Sequence, residues 1–495
     1  MRCTVDQLIT ALGAQAIVAP AASDALIEGV SWDSRTLPAH TAYLALKGER
    51  TDGHHFVADV LDAGCPCAVV TDEPDLASIE AARRAGAALV RVDDAQRALW
   101  SLAAWWRDRI GATVVAITGS VGKTSTKELV SAVLSAGGRV CATPGNRNNE
   151  LGVPATLLSV QPEDRFAVVE MGMRGLGQIA DLCAFVRPDW GVVTKVGDSH
   201  IELLGSREAI AQAKAELFGA LDPARGRAFL NMADDSAPVL DRFGGLSARA
   251  VPVVRFDGSA EAAERRRAWL ADQGAAAAQL PYVWAEDIVL DPDGRARFTV
   301  RAAGFAGPSA ASCTLSVGGL HSVSNAVSAA AVGLAAGIGL EACVAALAGV
   351  RPQRGRQMSL RAPGGALVVD DAYNAGPDSM ASSLRWFASL AVPGRRIAVL
   401  GDMGELGPFA PEAHERVGGL AAASSLDLLV CVGPLSRRIA VGARAAGMPD
   451  EAVVCASAWD DALAALPVPL GPDDAVLVKA SRFMGLERIV EGLVG

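Results

Sequence analysis

The stretch Val114–Glu128, VVAITGSVGKTSTKE, decides how the rest of the chain is read. An apolar, strand-like run enters a loop of Gly119, Ser120, Val121, Gly122, Lys123, Thr124 and Ser125, and Leu129, Val130, Val133 and Leu134 then recur at helical spacing. Strand, glycine loop and helix in that order suit phosphate. Backbone N–H groups and the helix N-terminus face the anion, the lysine adds charge, and the threonine hydroxyl can reach Mg²⁺. The alternative is a glycine turn with a surface lysine, which the order of elements disfavours. One feature resists the general P-loop pattern: the position five residues before Gly122, where glycine is wanted, holds Ile117.

The whole chain sets the frame for this loop. Its 495 residues predict roughly three domains with several buried cores. Hydrophobic residues make up 51% and charged residues 20%, a globular composition without long polar low-complexity runs. A net charge of -10 argues against nucleic acid as the principal partner, because backbone binding needs a concentrated basic surface. Apolar runs break well before the roughly 18 residues a membrane-spanning helix requires, and Asp6 stands where a signal peptide would be apolar. The expectation is a soluble, cytoplasmic monomer without membrane insertion. Nine cysteines, with Cys65 and Cys67 a lone close pair, read as buried thiols in a reducing compartment and not as a zinc site.

Three α/β segments are expected. Residues 1–105 carry short mixed signals. From 106 to 349 the apolar runs TVVAIT, FAVVEM, WGVVTKV and AFLNM alternate with helical spacing, which predicts a mostly parallel sheet covered on both faces. Within that segment ARFTVRAAG and SCTLSVGG alternate in the manner of an antiparallel edge or subdomain, and an Ala-rich helix is expected over 324–336. GVRPQRGRQ, from Gly349, breaks both periodicities and reads as a hinge. Residues 350–495 then show four strand candidates, ALVVDD, RRIAVLGD, DLLVCVG and DAVLVKAS, in a Rossmann-like alternation.

Three residues outside the loop carry chemical interest of their own. FAVVEM delivers Glu170 to the C-terminal end of a buried strand, where a carboxylate can reach a metal held by a loop on the next strand. A solvated acid in a turn is an equal reading. His200 follows WGVVTKV, and a lone histidine is more often a structural hydrogen bonder than a ligand. Lys214 lies at i+4 from Ile210 and close before Leu217 and Phe218, so it joins an apolar stripe that Ser206 can cap; snorkelling past a core edge is its plain reading.

Seven segments in order resemble the Mur ligase and folylpolyglutamate synthetase superfamily: the loop itself, TPGNRNNELGVPATLL, VVEMGMRGLGQI, VGDSHIELLGS with AKAELF, DDAYNAGPDSM, LGDMGELG and VLVKASR. In that family the loop has the compact form Thr118-Gly119-Ser120-x-Gly122-Lys123-Thr124-Ser125, and Ile117 becomes the last buried strand residue. The segments look most like the branch that uses ATP and Mg²⁺ to add D-alanyl-D-alanine to UDP-N-acetylmuramoyl-tripeptide through an acyl phosphate. The resemblance implies a nucleotide-sugar domain, a central P-loop ATPase domain and a closing third domain. It also implies that Lys123, Glu170, His200 and Lys214 are catalytic. Thr124, Glu170, His200 and a carbamylated Lys214 would hold metal, while Gly119 to Ser125, Asn325, Arg356, Asp371 and Tyr373 would hold ATP. Ser34, Arg35, Lys47 and Gly48 of WDSRTLPAHTAYLALKG, with Asn148 and Asn149, would meet the UDP-substrate, and Lys479, Ser481 and Arg482 the dipeptide or phosphate. His321 lies near the adenine segment. Departures from the pattern are Ser322 for the usual Asn, Ala372 for Ser and Gly376 for Asn.

Two other ligases of the superfamily and one unrelated class compete. A third-residue-adding ligase usually shows Asp-Asn-Pro-Arg, which is absent here. A folylpolyglutamate synthetase would not combine DDAYNAGPDSM, LGDMGELG and the DSR segment. A P-loop switch without ligation gives Glu170, His200 and Lys214 no joint purpose. Lys123→Ala is expected to abolish ligation while leaving UDP-substrate binding by the first domain intact, checked by parallel turnover and calorimetry.

Overall fold

The computed structural model describes residues 1–48 and 51–495. The strand Thr113–Thr118 lies inside a nine-stranded sheet, with helix-packed cores on both faces. Val114 and Ala116 point into one core, Val115 and Ile117 into the other, and all four are fully buried. Two-sided burial explains why this segment reads as an unbroken apolar run. Its neighbours are Phe166–Glu170, with Glu170 opposite Ile117, and Trp190–Val193, with Val193 opposite Thr118. Three parallel strands therefore end side by side, with connections leaving in both directions, the crevice in which open α/β sheets hold ligands.

Outward from that centre the sheet continues through Arg227–Asn231, Val253–Asp257 and Tyr282–Leu290, all parallel. Arg295–Ala303 and Ala310–Gly318 then add antiparallel strands, so the alternating segments form the edge of the central sheet. The charged run before them lies on the helix Ala262–Gln273. The Ala-rich helix is Leu320–Ala335, starting four residues before the expected Ser324. Ser322 enters its first turn because its hydroxyl donates to the Gly318 carbonyl at 2.6 Å and is buried there.

The N-terminal unit is a five-stranded sheet in the order Gln15–Val18, Ala88–Arg91, Cys67–Val70, Thr41–Leu44, Gly29–Ser31, parallel except at its first edge. The helix Ala95–Arg107 joins it to the centre. Leu99, Leu102 and Trp106 are buried in one core shared with Leu8 and Val90 on one side and Leu157 and Leu182 on the other. The C-terminal unit has six strands in the order Met358–Arg361, Leu367–Asp370, Ala475–Lys479, Arg396–Gly401, Leu428–Val432, Val453–Ala456. Its four inner strands are those the sequence predicts; the antiparallel edge Met358–Arg361 and the short Val453–Ala456 are additional. Among the described residues no helix is long and apolar enough to cross a membrane.

Ile117 faces the core that the helices Lys123–Ser135 and Leu320–Ala335 also enter. Ile117→Ala should cost about 2–5 kcal/mol through lost burial and a residual cavity, visible as a lowered melting transition.

Candidate active site

The loop after Thr118 is shaped by close approach. Gly119 has φ 152, and a Cβ there would lie 1.9 Å from Thr194 Oγ1. Gly122 has φ 84, and a Cβ would come within 2.9 Å of Asn325 Oδ1. The neighbouring strand end braces the loop: Thr194 Oγ1 donates to the Val121 carbonyl at 2.6 Å, and Ser120 N donates to the Lys195 carbonyl at 2.7 Å. The helix Lys123–Ser135 then starts with Lys123 Nζ 2.7 Å from the Gly119 carbonyl. Burial pushes the Lys123 amine below its ordinary value, with Glu170 and Glu405 pulling it back up and Arg356 adding to the fall.

Thr124 is the meeting point. Its hydroxyl donates to Glu170 Oε1 at 3.1 Å and accepts from Arg356 Nη2, also at 3.1 Å. Asn148 Nδ2 donates to the same Glu170 oxygen at 2.7 Å. Glu170 Oε2 is buried with no hydrogen-bond partner among the described residues. Asn149 Oδ1 instead accepts from Gly152 N and starts the helix Gly152–Ser159.

Sequence reasoning passed over the residue that holds this loop. Lys127 is 1% exposed, and its Nζ donates to the carbonyls of Thr143 and Gly145, each at 2.7 Å, and pairs with Glu128 at 3.0 Å. Thr143 Oγ1 in turn accepts from Glu170 N at 2.9 Å. The phosphate-loop helix thereby sets both backbone and side chain of Glu170. A lysine four residues after Lys123, on the same helix face, was the available signal.

Lys214 lies on the helix Arg207–Gly219, capped by Ser206, and is 1% exposed. Burial drives its amine well below the ordinary lysine value, and the Lys123 charge adds to that fall. His200 precedes the short helix Ile201–Leu204, and its Nδ1 lies 3.0 Å from Glu405 of the third domain, at ion-pair distance but without hydrogen-bond alignment.

The third domain closes the far wall. Arg356 stacks over the Tyr373 ring at 4.3 Å, and Asp371 pairs with Lys479 at 2.8 Å. Phosphate loop, Glu170, His200, Asn325, Arg356, Asp371 and Tyr373 line one cavity of about 1250 Å³ that runs from Trp100 and Asn149 to Phe483. That is more than one small ligand fills. The predicted first-domain residues are not brought to it. Ser34 and Arg35 line a separate cleft of about 620 Å³, where Arg35 is forked onto Asp33. Lys47 lies outside that cleft and pairs with Asp72 at 2.7 Å, while Gly48 N donates to the Thr51 carbonyl.

A P-loop at the centre of a parallel sheet, walled by a third α/β domain, defines a nucleotide-dependent enzyme built to enclose two reactants. Family patterns match along the chain: the Mur ligase family, catalytic domain, at 26–107, the Mur ligase middle domain at 117–333, and the Mur ligase, glutamate ligase domain, at 355–482. The chain belongs to the Mur ligase family. It is 36% identical to the UDP-N-acetylmuramoyl-tripeptide--D-alanyl-D-alanine ligase of Synechocystis, over 95% of this chain and 93% of that protein. Its fold is similar to the crystal structure of MurF from Acinetobacter baumannii, with TM-score 0.83, 29% identity and coverage of 100% and 99% of the two chains. MurF ligase from Thermotoga maritima, solved in complex with ADP, matches with TM-score 0.75 at 25% identity over 93% and 96%.

Lys127→Met should leave the buried Thr143 carbonyl without its lysine donor, costing about 1–3 kcal/mol, while the exposed Gly145 carbonyl can turn to water. The expected readout is a lower melting temperature together with a larger loss of kcat than of UDP-substrate affinity.

Proposed function

We propose that the chain is an ATP-dependent amide ligase that joins D-alanyl-D-alanine to UDP-N-acetylmuramoyl-tripeptide in the cytoplasmic synthesis of peptidoglycan precursors. The observation that carries this reading is the convergence of Glu170 and Arg356, from two domains, on the Thr124 hydroxyl beside the phosphate-loop lysine. The relatives named above support the choice of substrates.

A carboxylate is a poor electrophile, so its oxygen first attacks the γ-phosphorus of ATP and ADP leaves, giving an acyl phosphate. The dipeptide amine then attacks the acyl carbon, phosphate leaves, and the nitrogen gives up a proton. Backbone N–H groups of residues 119–125 and the Lys123 amine hold the phosphates. Arg356 approaches the transferred group from the third domain, where it offsets charge spread over the phosphoryl oxygens. Asn325, Asp371 and Tyr373 hold the adenosine side. Ser34 and Arg35 hold the uridine nucleotide in their cleft, with Lys47 and Gly48 outside it, and Asn148 and Asn149 face the peptidyl end. Lys479, Ser481 and Arg482 face the dipeptide. Enclosure by the third domain keeps water from the acyl phosphate.

The donor set suits Mg²⁺: Glu170 has a buried oxygen without a partner among the described residues, Thr124 supplies a hydroxyl, and His200 lines the same cavity. Such an ion is normally held by one or two protein groups plus phosphate oxygens and water, and would supply Lewis-acid stabilisation of the phosphates. Lys214 adds to this set once carbamylated. Burial lowers its amine well below the ordinary lysine value, and the neutral amine can take up CO₂ with loss of a proton, which puts an anion near Lys123.

Two experiments test the reading. Phosphate release should require both UDP-muramoyl-tripeptide and D-alanyl-D-alanine; ATP turnover indifferent to both would point to a P-loop switch. With ¹³C-bicarbonate, the wild-type protein should show a carbamate resonance that Lys214→Arg lacks, and Lys214→Ala should lower kcat on the order of 100-fold. A persistently unmodified Lys214 in active protein would remove the carbamate.

A further inference from the structure

The third-domain loop Asp402–Leu406 follows the strand Arg396–Gly401 and is held at both shoulders. Met403 N donates to His414 Nε2 at 3.0 Å, and the fully buried His414 keeps its other nitrogen on the Ala410 carbonyl at 2.6 Å. Gly404 N donates to Ser481 Oγ at 2.9 Å, and Ser481 N returns to the Asp402 carbonyl at 3.1 Å. From this braced loop Glu405 projects into the wall of the main cavity with φ 60, a left-handed conformation uncommon for any residue but glycine. Its carboxylate lies 3.0 Å from His200 Nδ1 and 3.8 Å from Arg174 Nε, both in the central domain. His200 is itself left-handed, with φ 65. Two side chains on strained backbone thus face each other across the domain boundary.

The segment around His200 is gripped nearby as well. Asp198 pairs with Arg416 at 3.2 Å, and Asp198 N donates to Asp378 Oδ2 at 3.2 Å. Exposed ion pairs contribute little to stability, and the side chains of Glu405 and Arg174 are 49% and 74% exposed. Such contacts act by position. The carboxylate 3.0 Å from Nδ1 turns that edge of the ring toward the third domain.

We infer that Glu405 is a positioning residue that couples docking of the third domain to completion of the phosphate site, by orienting His200 only when the two domains are together. The inference rests on the ligase reading above. It gives that reading an order of events: a site finished by docking does not activate the carboxylate while water still has access.

The test uses the full chain, after wild-type phosphate release has been shown to need both substrates; failure of that control would strike the ligase reading and not this one. Glu405→Gln and Glu405→Ala are compared with wild type by X-ray scattering, with UDP-muramoyl-tripeptide and a non-hydrolysable ATP analogue present. Mn²⁺ binding is followed by electron paramagnetic resonance. Wild type should contract. Both variants should keep the wild-type melting temperature, UDP-substrate affinity and contraction, but bind Mn²⁺ more weakly and lose about tenfold or more in kcat, the range expected for lost positioning. Arg174→Ala, which removes only the longer contact, should lose less. Mn²⁺ affinity and kcat equal to wild type in the contracted variants would overturn the inference. So would an effect confined to the KM of the dipeptide, which would make Glu405 a partner of its amine instead.

Discussion

One hydroxyl ties the molecule together. Thr124 Oγ1 donates to Glu170 from the neighbouring strand and accepts from Arg356 of the third domain. A hydroxyl has one proton to give and two lone pairs to receive with, so it can face a carboxylate and a guanidinium at once. That capacity lets the start of a single helix serve as the junction of two domains and, at the same place, of a phosphate site.

The site around this junction gathers three lysines. Lys123 is half-buried, Lys127 and Lys214 are buried, and their compensation differs. Lys127 is satisfied by carbonyls and Glu128. Lys123 has one carbonyl and the more distant Glu170 and Glu405, while Lys214 is pushed strongly toward neutrality by burial. A region that desolvates amines in this way favours incoming anions, because charge is worth most where water is excluded. The proposed phosphate at Lys123 and carbamate at Lys214 would both answer that imbalance. The unpartnered oxygen of Glu170 is its counterpart on the negative side.

Much of the central sheet was legible because parallel strands buried on both faces appear as unbroken apolar runs. TVVAIT, FAVVEM, WGVVTKV and AFLNM each became a strand, and Glu170 stands at the end of one of them. The start of the Ala-rich helix was misplaced because Ser322 satisfies a backbone carbonyl within the first turn, which residue preferences alone do not reveal. Lys127 was overlooked for a related reason: a lysine on a helix is ordinarily solvated, and only the packing of residues 143–149 against that helix makes it a buried donor. Ser34, Arg35, Lys47 and Gly48 follow one another closely in sequence, yet Lys47 and Gly48 stand outside the cleft that Ser34 and Arg35 line.

Local chemistry by itself determined the phosphate loop, its strand and helix, and the alternation of strands and helices, since backbone preference and hydrophobic period act over a few residues. What only the tertiary structure decided is convergence: that Arg356 reaches Thr124, that Asn148 meets Glu170, and that Glu405 faces His200. Those contacts join residues far apart along the chain, and they are set by how three cores pack. No short-range property of the sequence encodes that packing.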